Sequence, residues 1–174
     1  MKALIISDNH GDSRILNDIK EQFAQDVDVL VHCGDSELKA DSTAMQGFKA
    51  VKGNNDWGLD YPGQLEFTVA GISFLVVHGD HDQVNYSLTP LMLKAQSFGS
   101  NVVCYGHTHQ LAVSMNDDIL FINPGSISLP RGEYSRIGGT FAIVDANEER
   151  YMVDYYDRNC QLLPELHFEF ERPN

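Results

Sequence analysis

Apolar residues come first in short unbroken runs and later in alternation, and the two patterns predict different elements. Ala3-Leu4-Ile5-Ile6 is apolar throughout, so residues 2–7 read as a strand buried on both faces. A polar loop over 8–12 follows, with Gly11 as its turn residue. Ser13 reads as an N-cap, and Ile15, Leu16, Ile19 and Phe23 recur at helical spacing to about residue 24. Residues 27–33 form a second apolar run. Strand, helix and strand in so short a span predict a βαβ unit with a right-handed crossover.

A short helix is expected over 38–45 and a strand over 48–52 ending at Gly53. Residues 54–63 form a polar loop holding the only tryptophan, Trp57. Strands over 65–69 and 72–77 are joined by Ala70-Gly71, a tight hairpin turn. Leu88, Leu91, Met92, Ala95 and Phe98 mark a second amphipathic helix, with Pro90 in its first turn and Gly99 at its stop. Residues 102–105 return to the sheet. Beyond them the pattern predicts strands over 111–115, 119–122, 140–144, 151–156 and 162–170. Turns fall at Asn116-Asp117, Asn123-Pro124-Gly125, Ala146-Asn147 and Arg158-Asn159, so this half is expected to be mostly antiparallel. Near the end Leu166, Phe168 and Phe170 alternate with charged residues, which puts His167 on a polar face as a surface residue. With no internal repeat, low-complexity segment or linker, residues 1–174 are read as a single domain of two packed sheets with helices outside.

Composition narrows the function. A hydrophobic fraction of 43% supports a sizeable core, yet no apolar stretch reaches the roughly 18 residues of a membrane span. The first residues turn polar too soon for a signal peptide, so a cytoplasmic protein without a membrane partner is expected. Cys33, Cys104 and Cys160 are odd in number and widely spaced, and read as reduced structural thiols. A net charge of −13 repels a phosphate backbone and argues against extended nucleic-acid binding.

Five predicted strand exits carry chemistry: Asp8-Asn9-His10, Gly34-Asp35, Gly53-Asn54-Asn55-Asp56, His78-Gly79-Asp80 and Gly106-His107-Thr108-His109. Open α/β sheets bind ligands at this edge. Asp8, His10, Asp35, Asn54, His78, His107 and His109 offer carboxylate, imidazole and amide donors, which suit divalent Mn, Fe, Zn or Ni. Seven donors are too many for one ion that keeps a position open. They suit two ions roughly 3.5–4 Å apart that share a carboxylate. If the strands continue through them, Asp8 and His10 point the same way, as do His107 and His109. His32 lies inside an apolar run and reads as a core or supporting histidine.

In this order the motifs resemble the calcineurin-like metallophosphoesterase superfamily, and Asn123-Pro124-Gly125-Ser126 is similar to its small bacterial branch of predicted phosphodiesterases. The resemblance runs from Lys2 to about Ser126. It implies an α/β (α+β) fold, a four-layer β-sandwich of two mixed sheets flanked by helices. One ion would be held by Asp8, His10, Asp35 and His109, the other by Asp35, Asn54, His78 and His107. Manganese is the first expectation, with Zn, Fe, Ni or Mg as alternatives. The implied activity is hydrolysis of phosphodiesters or small phosphomonoesters by a hydroxide shared between the ions, with Asn54 among the catalytic residues. Asn55 stands where larger members, such as the protein phosphatases, have a His that assists the leaving group; an amide cannot donate a proton at neutral pH. His81 is the candidate acid in its place. Asp80 stands where the family often has a second His after His78-Gly79. Asn9, Asn55 and Asp80 are expected to bind substrate, in a pocket that also includes Trp57, His81 and the 82–87 loop. A homodimer or tetramer is a family-level expectation. The alternative is a scaffold or binding module like the retromer's phosphoesterase-like subunit; retention of all seven donors favours the enzyme.

Overall fold

In the computed structural model, which describes residues 1–172, the unbroken apolar runs become the inner strands of two mixed sheets. One sheet contains β1 (Lys2–Ile6), β2 (Val29–His32), β3 (Phe48–Ala50), β9 (Thr140–Ala146), β10 (Arg150–Asp157) and β11 (Leu162–Glu171), in the order β11-β10-β9-β1-β2-β3. Its β1, β2 and β3 pair in parallel, and β9, β10 and β11 are antiparallel. The other contains β4 (Gln64–Val69), β5 (Ile72–Val77), β6 (Val102–Cys104), β7 (Leu111–Asn116) and β8 (Ile119–Pro124), in the order β4-β5-β6-β8-β7. There β5, β6 and β8 are parallel and the edges antiparallel.

Alternate residues of each run face opposite ways, which explains why the runs are unbroken. Ala3, Ile5, Val29 and Val31 meet Phe74, Val76, Val102 and Leu120 between the sheets. Leu4, Ile6 and Leu30 face outward and bury Ile15, Leu16 and Ile19 of α1 (Ser13–Phe23). Leu75, Val77, Val103 and Phe121 do the same for Leu91 and Ala95 of α2 (Thr89–Phe98). Burying one such leucine contributes about 2 kcal/mol. The order of layers is therefore helix, sheet, sheet, helix. Among the described residues no helix is long and apolar enough to cross a membrane.

Several local details differ from expectation. The N-cap of α1 is Asp12, whose side chain accepts from the Ile15 amide at 3.2 Å, and Ser13 is the first helical residue. Residues 38–45 form turns: Ser42 O accepts from the Met45 and Gln46 amides, and Gly47 at φ +89° ends the segment after one cycle. Ala44 and Met45 are still buried beside α1, so burial alone produced the apparent helical spacing. The β7–β8 turn is Asp117-Asp118, both at positive φ, one residue later than expected. A 3-10 turn, Glu133–Ile137, has no sequence signal of its own. Pro164 sits within β11, which tolerates it as an edge strand, and pairing with β10 shifts register between Asp154 and Tyr156.

Candidate metal centre

The loops after β1, β2, β3, β5, β6 and β8 meet at one edge of the two sheets. Asp8 N donates to Gly34 O and His10 N to Asp35 O, both at 3.1 Å. Gly106 N donates to His78 O at 2.9 Å. His107 N, 3.3 Å from Asp8 Oδ2, and Ser126 Oγ, 2.8 Å from Asp8 O, join the sheets. The strands do not continue through the histidine pairs: β1 ends at Ile6 and β6 at Cys104. Instead Asp8, His10, Asp35, His107 and His109 all adopt left-handed backbone, with φ between +45° and +67°. Each such residue costs roughly 1–3 kcal/mol, and strain of this kind collects at functional sites. At Gly106, between Ser7 and the two histidines, a Cβ would lie 2.1 Å from Ser7 Oγ; at Gly53 one would lie 2.1 Å from Asp35 Oδ1. Both close approaches require glycine.

The fold brings all seven predicted donors into two adjoining groups. Ligand atoms of Asp8, His10, Asp35 and His109 lie within 4.8 Å of one another. His10 Nδ1 donates to Glu37 Oε1 at 2.7 Å and His109 Nδ1 to Leu129 O at 2.8 Å. In the neutral rings both Nε2 atoms are then bare lone pairs. They face each other at 3.3 Å, and His109 Nε2 is also 3.3 Å from Asp8 Oδ1. That oxygen is buried and has no partner with hydrogen-bond geometry among the described residues. Three facing acceptors repel until a cation sits between them, so this donor set fits a metal ion.

The second group is built on the same logic. His78 Nδ1 donates to Cys33 O at 2.8 Å, which leaves Nε2 3.1 Å from Asn54 Oδ1 and 3.6 Å from Asp35 Oδ2. His107 Nδ1 lies 2.9 Å from the same Asn54 oxygen. Asp35 thus borders both groups. Its two oxygens accept from Asn55 N and Asn55 Nδ2 at 2.7 and 2.6 Å. Burial pushes the Asp8 carboxyl up, but His109 and the neighbouring charge of His78 outweigh it and hold the group below the usual range. Burial pulls His109 down, and the adjacent Asp8 carboxylate raises it above the ordinary histidine value. Burial, then His78, lowers His107.

The remaining predicted residues are distributed around these groups. Asn9 is fully buried; its Oδ1 accepts from His32 Nε2 at 2.8 Å and its Nδ2 donates to Asp12 O. His32 Nδ1 accepts from Gly34 N, and burial pushes this histidine down to about 4. Asp80 and His81 line a pocket of about 390 Å³ together with Asn54 and Trp57. His81 Nε2 lies 3.7 Å from Asp80 Oδ2 on an almost fully exposed side chain. In the 82–87 loop, Asp82 is buried in an ion pair with Lys94 of α2.

Four contributors were not foreseen. Glu37 orients His10. Buried Asp56 accepts from Glu37 N and Gly53 N, and so ties the loops after β2 and β3 together. Asn123 Nδ2 holds Gly106 O and Thr108 Oγ1. Arg131 lines a recess of about 370 Å³ with His10, Asp35, His107 and His109, and its backbone N–H donates to His109 O. Its guanidinium has no hydrogen bond or ion pair among the described residues. Of these, Asp56 and Asn123 lay in motifs visible in the sequence, Gly53-Asn54-Asn55-Asp56 and Asn123-Pro124-Gly125-Ser126, whereas Glu37 and Arg131 did not.

Two parallel-cored sheets whose strand exits converge on a His/Asp/Asn cluster define a metallophosphoesterase. Residues 1–149 match the family model of the calcineurin-like phosphoesterase superfamily domain, and the chain belongs to that superfamily. It is 35% identical over 158 residues to the probable metallophosphoesterase YsnB of Bacillus subtilis, covering 91% of this chain and 92% of that protein. It is 28% identical over 170 residues to phosphodiesterase MJ0936 of Methanocaldococcus jannaschii, covering 87% and 96%. A crystal structure of a conserved uncharacterized protein from Streptococcus pneumoniae, described as a predicted phosphoesterase, superposes with a TM-score of 0.94 at 34% identity, covering 98% of this chain and 97% of that one.

Proposed function

We propose that the protein is a hydrolase of phosphodiesters, or of small phosphomonoesters, that works with two divalent ions, manganese first among them. Asp8, His10, Asp35 and His109 would hold one ion, and Asp35, Asn54, His78 and His107 the other. Bound there, the ions would supply Lewis acidity to activate water and to offset charge on the phosphoryl oxygens. The observation that carries this reading is the set of facing acceptors: Asp8 Oδ1 orphaned and buried, with the Nε2 atoms of His10 and His109 aimed at the same space.

The chain's own groups do the rest. Glu37 and the Leu129 carbonyl fix the rings of His10 and His109, which sharpens their direction. Asn55 holds the Asp35 carboxylate at both oxygens, which keeps its side-chain amide engaged. Arg131 offers an unpaired fork of N–H donors to the phosphoryl oxygens. His81, on the Asn54 side, protonates the leaving oxygen.

The test is elemental analysis of the purified protein together with hydrolysis of bis(p-nitrophenyl) phosphate in added manganese. Two equivalents of metal and steady turnover are expected. Asp35→Asn should lose both ions and the turnover. A metal-free protein that stays inactive in added manganese would support the scaffold reading instead.

A further inference from the structure

We propose that the pocket beyond Asn54 is a subsite for a planar aromatic ring carried by the phosphate ester, with the Trp57 indole as its stacking platform. This rests on the phosphoesterase reading above and adds to it the chemistry of one ester arm.

The pocket holds about 390 Å³, within the range of small-molecule sites. It shares Asn54 with the metal-centre recess, so a ring seated in it stays joined to a phosphoryl group at the ions. Its other walls include Trp57, Lys52 and His81. Trp57 is 85% exposed, which is extreme for an indole. A lone exposed apolar residue needs no explanation, but this one borders a pocket beside the metal site and rises from a backbone that is held in place. Its backbone N–H donates to Asn55 O at 2.9 Å, and the backbone and side-chain amides of Asn55 are bound in turn to Asp35. The neighbouring Asp56 is fully buried and accepts from Gly53 N at 2.8 Å and Glu37 N at 2.7 Å. The backbone that presents the indole is therefore built from the same bonds that shape the metal site. A backbone fixed in advance loses little freedom on binding, so only the indole's own rotamers need be ordered. The Lys52 ammonium has no ion pair among the described residues and, with the exposed imidazole of His81, offers polar contacts to ring substituents at the rim. The phosphoryl oxygens would meet Arg131 in the adjoining recess, which shares Asn54 with this pocket.

Because Trp57 is the only tryptophan, its fluorescence reports this pocket alone. The whole protein, metal-free and metal-loaded, would be titrated with adenosine 5′-monophosphate, phenyl phosphate, ribose 5-phosphate and inorganic phosphate. Saturable quenching by the first two and none by the last two is expected. Adenosine monophosphate binding more tightly than phenyl phosphate would mark a nucleobase pocket; equal affinity would mark a general aryl pocket. In Trp57→Leu, the preference for a phenyl over a methyl phosphodiester in kcat/KM should fall about tenfold, as expected for loss of one stacking contact. Trp57→Phe should restore most of it. Unchanged preference in Trp57→Leu, or no quenching by either aromatic ligand while calorimetry still detects phosphate binding, would overturn the subsite and leave the phosphoesterase reading intact. Sedimentation showing Trp57 shielded by self-association would also overturn it. Absence of both phosphate binding and turnover would overturn both readings.

Discussion

The two donor groups of the proposed metal centre both border on Asp35 but are built in different surroundings. Around Asp8 the donors are mostly buried, and each imidazole is fixed through its far nitrogen by Glu37 or by a backbone carbonyl. Around Asn54 only His78 is enclosed; Asn54 itself is exposed, His107 is half-buried, and the Trp57 pocket opens directly beside them. The dry half is preorganised, so an ion there should bind tightly and exchange slowly. The wet half trades affinity for access, and its ion should be the one that meets substrate.

Alanine replacements break the comparison most directly. His109→Ala and His107→Ala should each reduce turnover by about 10³-fold, since each removes several kcal/mol of charge stabilisation. They should differ in metal content after dialysis: His107→Ala keeps the dry-side ion and His109→Ala loses it. Equal content in the two variants would abolish the distinction. Next in size, Arg131→Met should raise KM by about 10–100-fold, the scale of a lost charge-assisted hydrogen bond, with metal content unchanged in elemental analysis. Glu37→Gln should weaken only the tighter of two metal affinities by about tenfold in a chelator competition.

The smallest effect concerns His32, which lies beneath the dry half. Its folded pKa, about 4, is below the ordinary 6.5, because burial penalises the charged ring. The unfolded chain therefore binds the proton first as pH falls, and stability is lost from about pH 6.5 down toward 4. Between pH 6.5 and 5.5 the loss should be about 1 kcal/mol, measured by denaturant unfolding of metal-stripped protein, and His32→Gln should flatten it.

The same contrast explains what could be read from the sequence. Six of the seven donors follow a largely apolar run, and such runs mark inner parallel strands whose exits share an edge; Asn54 follows the edge strand β3, whose run is interrupted by Lys49. Helix α2 was legible for a similar reason, because Pro90 and Gly99 bracket it. The 38–45 segment misled because Leu38, Ala44 and Met45 pack on α1 from turns. The left-handed backbone at Asp8, His10, Asp35, His107 and His109 was not legible, since Asp and His visit φ > 0 more often than most residues but still uncommonly, and residue type alone does not mark where. Arg131 and Asn123 meet the histidine loop from β8 and the loop beyond it, and contacts between separate segments have no periodicity to reveal them.

The last strand has a consequence beyond the site. β11 is the outer rim of the larger sheet, and an open rim of that length is a template on which another chain could add a strand. Pro164 removes one of its amide donors, and the slip in register beside it bends the rim. Glu165, Glu169 and Glu171 line its outward positions with negative charge. Strand addition along this rim is thus opposed by backbone chemistry, shape and electrostatics together.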